Sequence, residues 1–354
     1  MRTPFLISLL TVGSLPAADL FDGLQRLDSE FEGLFSDDID VWSAAISYEQ
    51  ERNDWTISLG LTRINYDLEY SPVATLGGTA LDLSENTLLG NITLAKDVSN
   101  DLQLSFGARG YDGYADYRSI WVAEYYRQNF SFPGSGYSPP DPSGWSLSAG
   151  LVWSPRIESR LNFSLNYGQD TIAPGWASPF ESSNDLLESR AVSIRWEETL
   201  NPSLKTETTL SYSDITDRDP RVLIQSAWNY AISDDLTLRA QMGAGRENPD
   251  FESIYGGLSL DYQLTDQWSV ALSSRLYHDS GEIENSGFNT AAPGLQSVET
   301  GLSVLYQKGD HSLRASLSYY HTDYDTVDPS NDFFANLYQD RDWIAMRLAY
   351  SLNF

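Results

Sequence analysis

Apolar and polar residues alternate along most of the chain. Clear examples are WTISLGL from Trp55, LQLSFGA from Leu102, LNFSLNY from Leu161, LTLRAQM from Leu236 and WSVALSS from Trp268. A period of two places large apolar side chains on one face of a strand and Ser, Thr, Asn, Gln or Arg on the other. Seven short polar turns recur, ERND, VSND, RIESR, NPS, SDD, TDQ and KGD, and each is followed by a segment of this kind. Similar segments precede them, as WSAAISY before Glu49 and LSLDYQL before Thr265. The unit is a β-hairpin. The links between hairpins are longer and rich in Gly, Pro, Ser, Asn and Asp, at 70–86, 112–144, 168–189, 281–296 and 325–339. Short turns at one end and long loops at the other predict an all-β fold, an antiparallel up-and-down transmembrane β-barrel occupying 19–354 as one domain.

The polar face is mostly small and uncharged, which sets it apart from the Lys/Glu-rich outer face of a soluble β-sandwich. Trp42, Trp55, Trp145, Trp153, Trp196, Trp268 and Trp343 fall near strand ends, where membrane barrels carry aromatic girdles. The chain closes with DWIAMRLAYSLNF, in which Ile344, Met346, Leu348, Tyr350, Leu352 and Phe354 share one face. This resembles the C-terminal assembly signal of Gram-negative outer-membrane β-barrels, here Tyr350, Leu352 and Phe354. The resemblance is to the class and singles out no family. It implies a location in the outer membrane, handling by the barrel-assembly machinery, and contact with outer-membrane lipid and lipopolysaccharide. Homo-oligomers are familiar in porins of this class.

Seven hairpins and the terminal strand make fifteen crossings, and single-chain bacterial barrels have an even number. Residues 26–35, RLDSEFEGLF, supply the sixteenth: Leu27, Ser29, Phe31, Gly33 and Phe35 lie on one face, and Arg26, Asp28, Glu30 and Glu32 on the other. Leu20, Leu24, Leu27, Phe31 and Leu34 also fit helical spacing, which leaves open fourteen strands with an N-terminal helix. Before this, MRTPFLISLLTVGSLPAA has the layout of a secretory signal peptide at 1–18, with Arg2, an apolar run and small residues at Ala17 and Ala18.

Charge and composition then narrow the function. Lys and Arg number 22 against 50 Asp and Glu, a net charge of −28, which speaks against nucleic acid as a partner. There is no Cys, so no disulfide, thiolate metal site or thiol nucleophile is available. No cofactor, metal or nucleotide motif stands out. On the inward face the register places Arg109, Arg195, Arg239, Arg275, Arg314 and Arg347 among Ser, Thr, Asn, Gln and Gly, with acids at Glu197, Glu207, Asp261 and Glu299. At ~3.3 Å per residue and ~40° of tilt, Arg109, Arg275 and Arg347 lie about 18 Å from the short-turn edge, near mid-membrane. The segment 112–144 joins the fifth and sixth strands. In general porins that connection folds into the lumen, so the positional resemblance implies that Asp112, Asp116 and Glu124 face the arginines across a constriction.

The function expected is passive diffusion of small hydrophilic solutes or ions, without catalysis and with a weak anion preference, or near neutrality if Asp112, Asp116 and Glu124 fold inward opposite the arginines. Two other readings stay open. His278 and Ser280 share an outward face, a placement similar to the His-x-Ser pair of outer-membrane phospholipase and lipid A deacylases, although Gly281 follows where the phospholipase pattern has Asn-Gly. The other is a filled barrel with a structural or adhesive role.

Overall fold

The architecture is described from a computed structural model, in which residues 25–74, 77–134, 141–171, 187–216, 219–247, 251–283, 291–325, 334 and 336–354 are described. The expected signal segment 1–18 lies outside these residues. The first strands are β1 (Gln25–Phe35), β2 (Ile39–Arg52), β3 (Trp55–Tyr70), β4 (Leu81–Ser99) and β5 (Leu102–Asp112), followed by helix α1 (Tyr117–Phe130). Next come β6 (Ser143–Arg156), β7 (Ser159–Asp170), β8 (Leu187–Asn201), β9 (Leu204–Ile215), β10 (Arg221–Ala231), β11 (Leu236–Glu247), β12 (Phe251–Gln263) and β13 (Trp268–Asp279). Two-residue strands β14 (Glu282–Ile283) and β15 (Ala291–Ala292) pair with each other in a loop. The wall ends with β16 (Leu295–Lys308), β17 (His311–Tyr324) and β18 (Arg341–Asn353).

Sixteen strands form one closed antiparallel barrel, in agreement with the parity count. Gln25–Phe35 is a strand and not the helix that its second periodicity allowed. Closure decides between the two. As a strand, β1 pairs with β2 on one edge and with β18 on the other, from Arg26↔Asn353 to Phe35↔Ile344. As a helix it would leave two open sheet edges, which no barrel in a lipid environment tolerates.

Alternation sorts the wall into two faces. Leu59, Leu61, Phe106, Leu165, Leu258, Leu272, Leu317 and Met346 are exposed on the outside. Trp55, Trp153, Trp196 and Trp268 join them near the short turns, and Trp145 near the loops. Trp343 does not belong to this girdle. It has the opposite parity to Ile344 and Met346, points inward, is buried, and donates from Nε1 to Thr322 Oγ1 at 3.1 Å.

Phe354 sits at the base of the closing seam. Its N–H donates to the Gln25 carbonyl at 2.9 Å, and the Gln25 N–H donates back at 3.0 Å. Its ring is exposed on the outer face. Deleting Phe354 removes both bonds and the last apolar contact of the seam. The yield of heat-modifiable barrel on refolding into detergent micelles is expected to fall severalfold. An unchanged yield would show that the seam closes without it.

Candidate functional site

The interior is where polar chemistry collects, and its loop end is shaped by one helix. The chain leaves β5 through Gly113 at φ +114, where a Cβ would lie 2.6 Å from the Asn86 carbonyl oxygen. Only glycine takes this bend without strain. Asp116 then caps α1: its Oδ1 accepts from Ser119 N and from Ser119 Oγ, both at 2.8 Å. The helix lies inside the mouth, on the face opposite the apolar belt. Ile120 packs with Ile39, Tyr66, Leu68 and Trp343. Trp121 lies 5.0 Å from the Tyr70 ring and joins Tyr125, Phe334 and Leu337. Gln128 ties the helix to the β3–β4 loop, donating to Thr79 O at 2.9 Å and accepting from Thr79 N at 2.6 Å. Burial pushes the Tyr117 phenol well above its ordinary range, with Tyr324 adding to the effect, so it stays neutral.

A second device fixes the mouth. Arg341, at the loop end of β18, is buried and donates to both oxygens of Asp38, in the β1–β2 turn, at 2.8 Å each. Its remaining N–H groups reach the carbonyls of Leu337 at 2.7 Å, Gln339 at 3.2 Å and Asn336 at 3.3 Å. One guanidinium thus joins the β17–β18 loop to the β1–β2 turn. Burial alone would raise the Asp38 carboxyl, but the hydrogen bonds and charge of Arg341 hold it below the ordinary value.

Deeper in the barrel, the expected arginines all carry inward parity, but on separate strands and mostly in pairs with carboxylates. Arg195 meets Glu207 at 3.3 Å, Arg239 meets Asp261 at 2.8 Å and Arg275 meets Glu299 at 2.9 Å. Arg347 bridges Glu30 and Glu32, the latter at 3.2 Å. Arg109 faces Asn91 and Ser146 across the sheet, and Arg314 faces Leu305 and Ala349. Arg109, Arg275 and Arg347 stand on β5, β13 and β18, none of which adjoins another, so they form no contact cluster.

The three acids expected opposite them are placed otherwise. Asp112 is the last residue of β5, keeps the parity of Leu102 and Phe106, pairs with Leu88, and so points outward. The strand runs one residue further than the loop boundary read from the sequence, and parity does the rest. Asp116 is occupied as the helix cap. Glu124 is buried against its own helix, held by both Arg127 Nε and Nη2 at 2.6 Å and by Gln128 Nε2 at 2.7 Å. The acidic side of a constriction is therefore not assembled from these residues. Sequence reasoning also missed α1, Arg118, Arg221 and Arg341. The cap signal Asp116-x-x-Ser119 was available for α1, and the inward parity shared with Arg347 was available for Arg341.

His278 and Ser280 do share the outward face. Ser280 Oγ, however, accepts from Glu252 N at 2.9 Å, and Ser280 N donates to the Glu252 carbonyl at 2.9 Å, which pins the residue as a strand end. On the same outer face, His321 Nδ1 lies 2.7 Å from the Asp342 carboxylate. Ser280→Ala is expected to change barrel stability by less than about 1 kcal/mol and to leave phospholipid and lipid A intact as before. Lipid hydrolysis by the purified protein that disappears with this substitution would promote the hydrolase reading.

The sequence matches no family model and no curated protein. Solved structures do match. A bacterial polysaccharide outer membrane secretin superposes over 95% of this chain and 100% of its own, with a TM-score of 0.55 at 7% identity. This fold is that of the outer-membrane β-barrels. CdiB from Acinetobacter baumannii superposes over 93% of this chain and 60% of its own, with a TM-score of 0.54 at 11% identity. At such identities the likeness is one of fold, and the lumen of this barrel has to be read from its own residues.

Proposed function

We propose that the protein is an outer-membrane channel for the passive diffusion of small hydrophilic solutes or ions. One observation carries the reading. The side chains of Arg195, Arg239, Arg275 and Arg347 point into the barrel, yet they remain 50% to 57% exposed. A barrel filled by side chains would bury them. Water therefore reaches the inner wall at mid-depth, past α1, which packs to one side against the β17–β18 and β2–β4 sector. The wall it wets is made of hydroxyls, amides and paired charges, as at Ser164 and Ser193, whose Oγ atoms lie 2.8 Å apart.

The outward apolar belt and its tryptophans support a position in the outer membrane, with the loops and α1 on the external side. Reconstituted into a planar bilayer, the full chain is expected to give steady conductance steps. A protein that inserts but passes no current would sink the channel reading. Silence together with lipid hydrolysis would replace it by the His278–Ser280 alternative.

A further inference from the structure

Between α1 and the far wall lies a cavity of about 570 Å³, at the loop end of the lumen. Its size falls within the roughly 300–1,000 Å³ typical of small-molecule sites. Six aromatic side chains line it: Phe251, Tyr255, Tyr277, Tyr320, Tyr324 and Tyr338. Cations line it too, but they are balanced. Arg221 holds Glu247 at 2.9 Å and lies 4.0 Å over the Phe251 ring. Arg275 holds Glu299 at 2.9 Å, and Arg118 of α1 lies 3.8 Å from Asp116. Asp279 is buried and turned to the backbone, accepting from Gly281 N at 2.8 Å and Leu295 N at 3.2 Å.

We propose that this cavity is a binding site for neutral saccharides entering the lumen. Three properties select that class. An organic anion would gain little, because each arginine already has its carboxylate. An apolar ligand would strip water from phenols, amides and ion pairs with nothing to replace it. A sugar ring offers C–H faces for the aromatic rings and hydroxyls that both donate and accept at its rim. The wall supplies the matching groups side by side: guanidinium donors, and the phenol hydroxyls and the amides of Gln225 and Gln241, which both donate and accept. Tyr255 is fixed for this role, since its hydroxyl donates to Gln225 Oε1 at 2.6 Å. Gly257, two residues further along the inward face of β12, leaves the wall beside Gln241 free of a side chain of its own.

The site deepens the channel reading and rests on it only for the route by which solute arrives. Binding is therefore measured separately from current. The detergent-solubilised full chain is titrated calorimetrically with maltotriose, cellotriose, mannotriose, glucuronate and benzoate. Saturable binding of at least one neutral trisaccharide is expected, with weaker binding of both anions. Tyr255→Ala combined with Tyr277→Ala is expected to weaken that binding about tenfold or more. The Phe replacements at both positions keep the rings and are expected to stay within a few-fold of the parent. Heat-modifiable mobility shows whether each variant is folded, and the Phe pair keeps the test sound if the Ala pair does not fold. No trisaccharide binding, binding of the anions alone, or a folded Ala pair that binds as the parent does would each overturn the site. Conductance without sugar binding removes the site and leaves the channel. Sugar binding by a barrel that passes no current keeps the site and removes the channel.

Discussion

Replacing Arg341 by methionine is expected to destabilise the barrel by about 3–5 kcal/mol at neutral pH, the usual cost of removing one partner from a buried ion pair. The expectation rests on what is left behind. Asp38 keeps its charge in a site where both oxygens had donors, and the carbonyls of Leu337, Gln339 and Asn336 lose theirs. The pH dependence gives the result a signature that simple loss of packing lacks. In the parent protein the Asp38 carboxyl is held below 3.8, so its stabilising contribution is present above that value and is lost as the pH falls through the folded pKa. In the variant, burial raises the carboxyl and only the hydrogen bonds from Ser36 and Gln339 still oppose it. The destabilisation should then shrink as the pH drops from 7 towards 4, because protonation removes the unpaired charge. Adding Asp38→Asn to Arg341→Met should recover part of the loss at pH 7. Urea unfolding of the refolded barrel at both pH values measures all of this. A loss independent of pH, with no recovery in the double variant, would mean that the pair does not clasp the mouth.

Much of the fold was legible because a barrel wall repeats one rule. Parity alone gave the strand count, the inward arginines and the outward belt. It also contains the inward placement of Trp343, against its nearness to a strand end, and the outward placement of Asp112 once β5 is carried one residue further. The lumen was less legible. The segment 112–144 reads as a loop inserted into the lumen, and the alternation that marks the wall gives no sign of a helix there. Its fourteen residues become a helix because Asp116 caps it and because Ile120 and Trp121 find Ile39, Tyr66, Leu68 and Tyr70 on strands distant in sequence. The same holds for charge. A single sequence shows six inward arginines and several inward acids, but not which of them meet. Pairing depends on the stagger between neighbouring strands, which sets Arg275 opposite Glu299 and Arg347 opposite Glu32.

That pairing changes the expected ion selectivity. Six inward arginines taken alone favour anions, and a net charge of −28 taken alone favours cations. Loop carboxylates in the aqueous mouth are screened within about 8 Å in physiological salt. Four of the six inward arginines, Arg195, Arg239, Arg275 and Arg347, are compensated by Glu207, Asp261, Glu299, Glu30 and Glu32. The parent channel is therefore expected to discriminate little between K⁺ and Cl⁻. Replacing Arg109, Arg275 and Arg347 together by Gln removes three positive charges and leaves Glu299, Glu30 and Glu32 uncompensated. A unit charge 8 Å from the ion path contributes roughly 0.5 kcal/mol at the dielectric constant of water, a factor of about two in local ion concentration and opposite in sign for the two ions. Three such changes should raise the permeability ratio of K⁺ over Cl⁻ severalfold and shift the reversal potential in a KCl gradient accordingly. Restoring Arg275 alone should return part of the shift, because it again neutralises Glu299. A reversal potential unchanged by the triple substitution would show that ions do not pass these residues, and would move the conduction path, if there is one, away from the arginine-bearing wall.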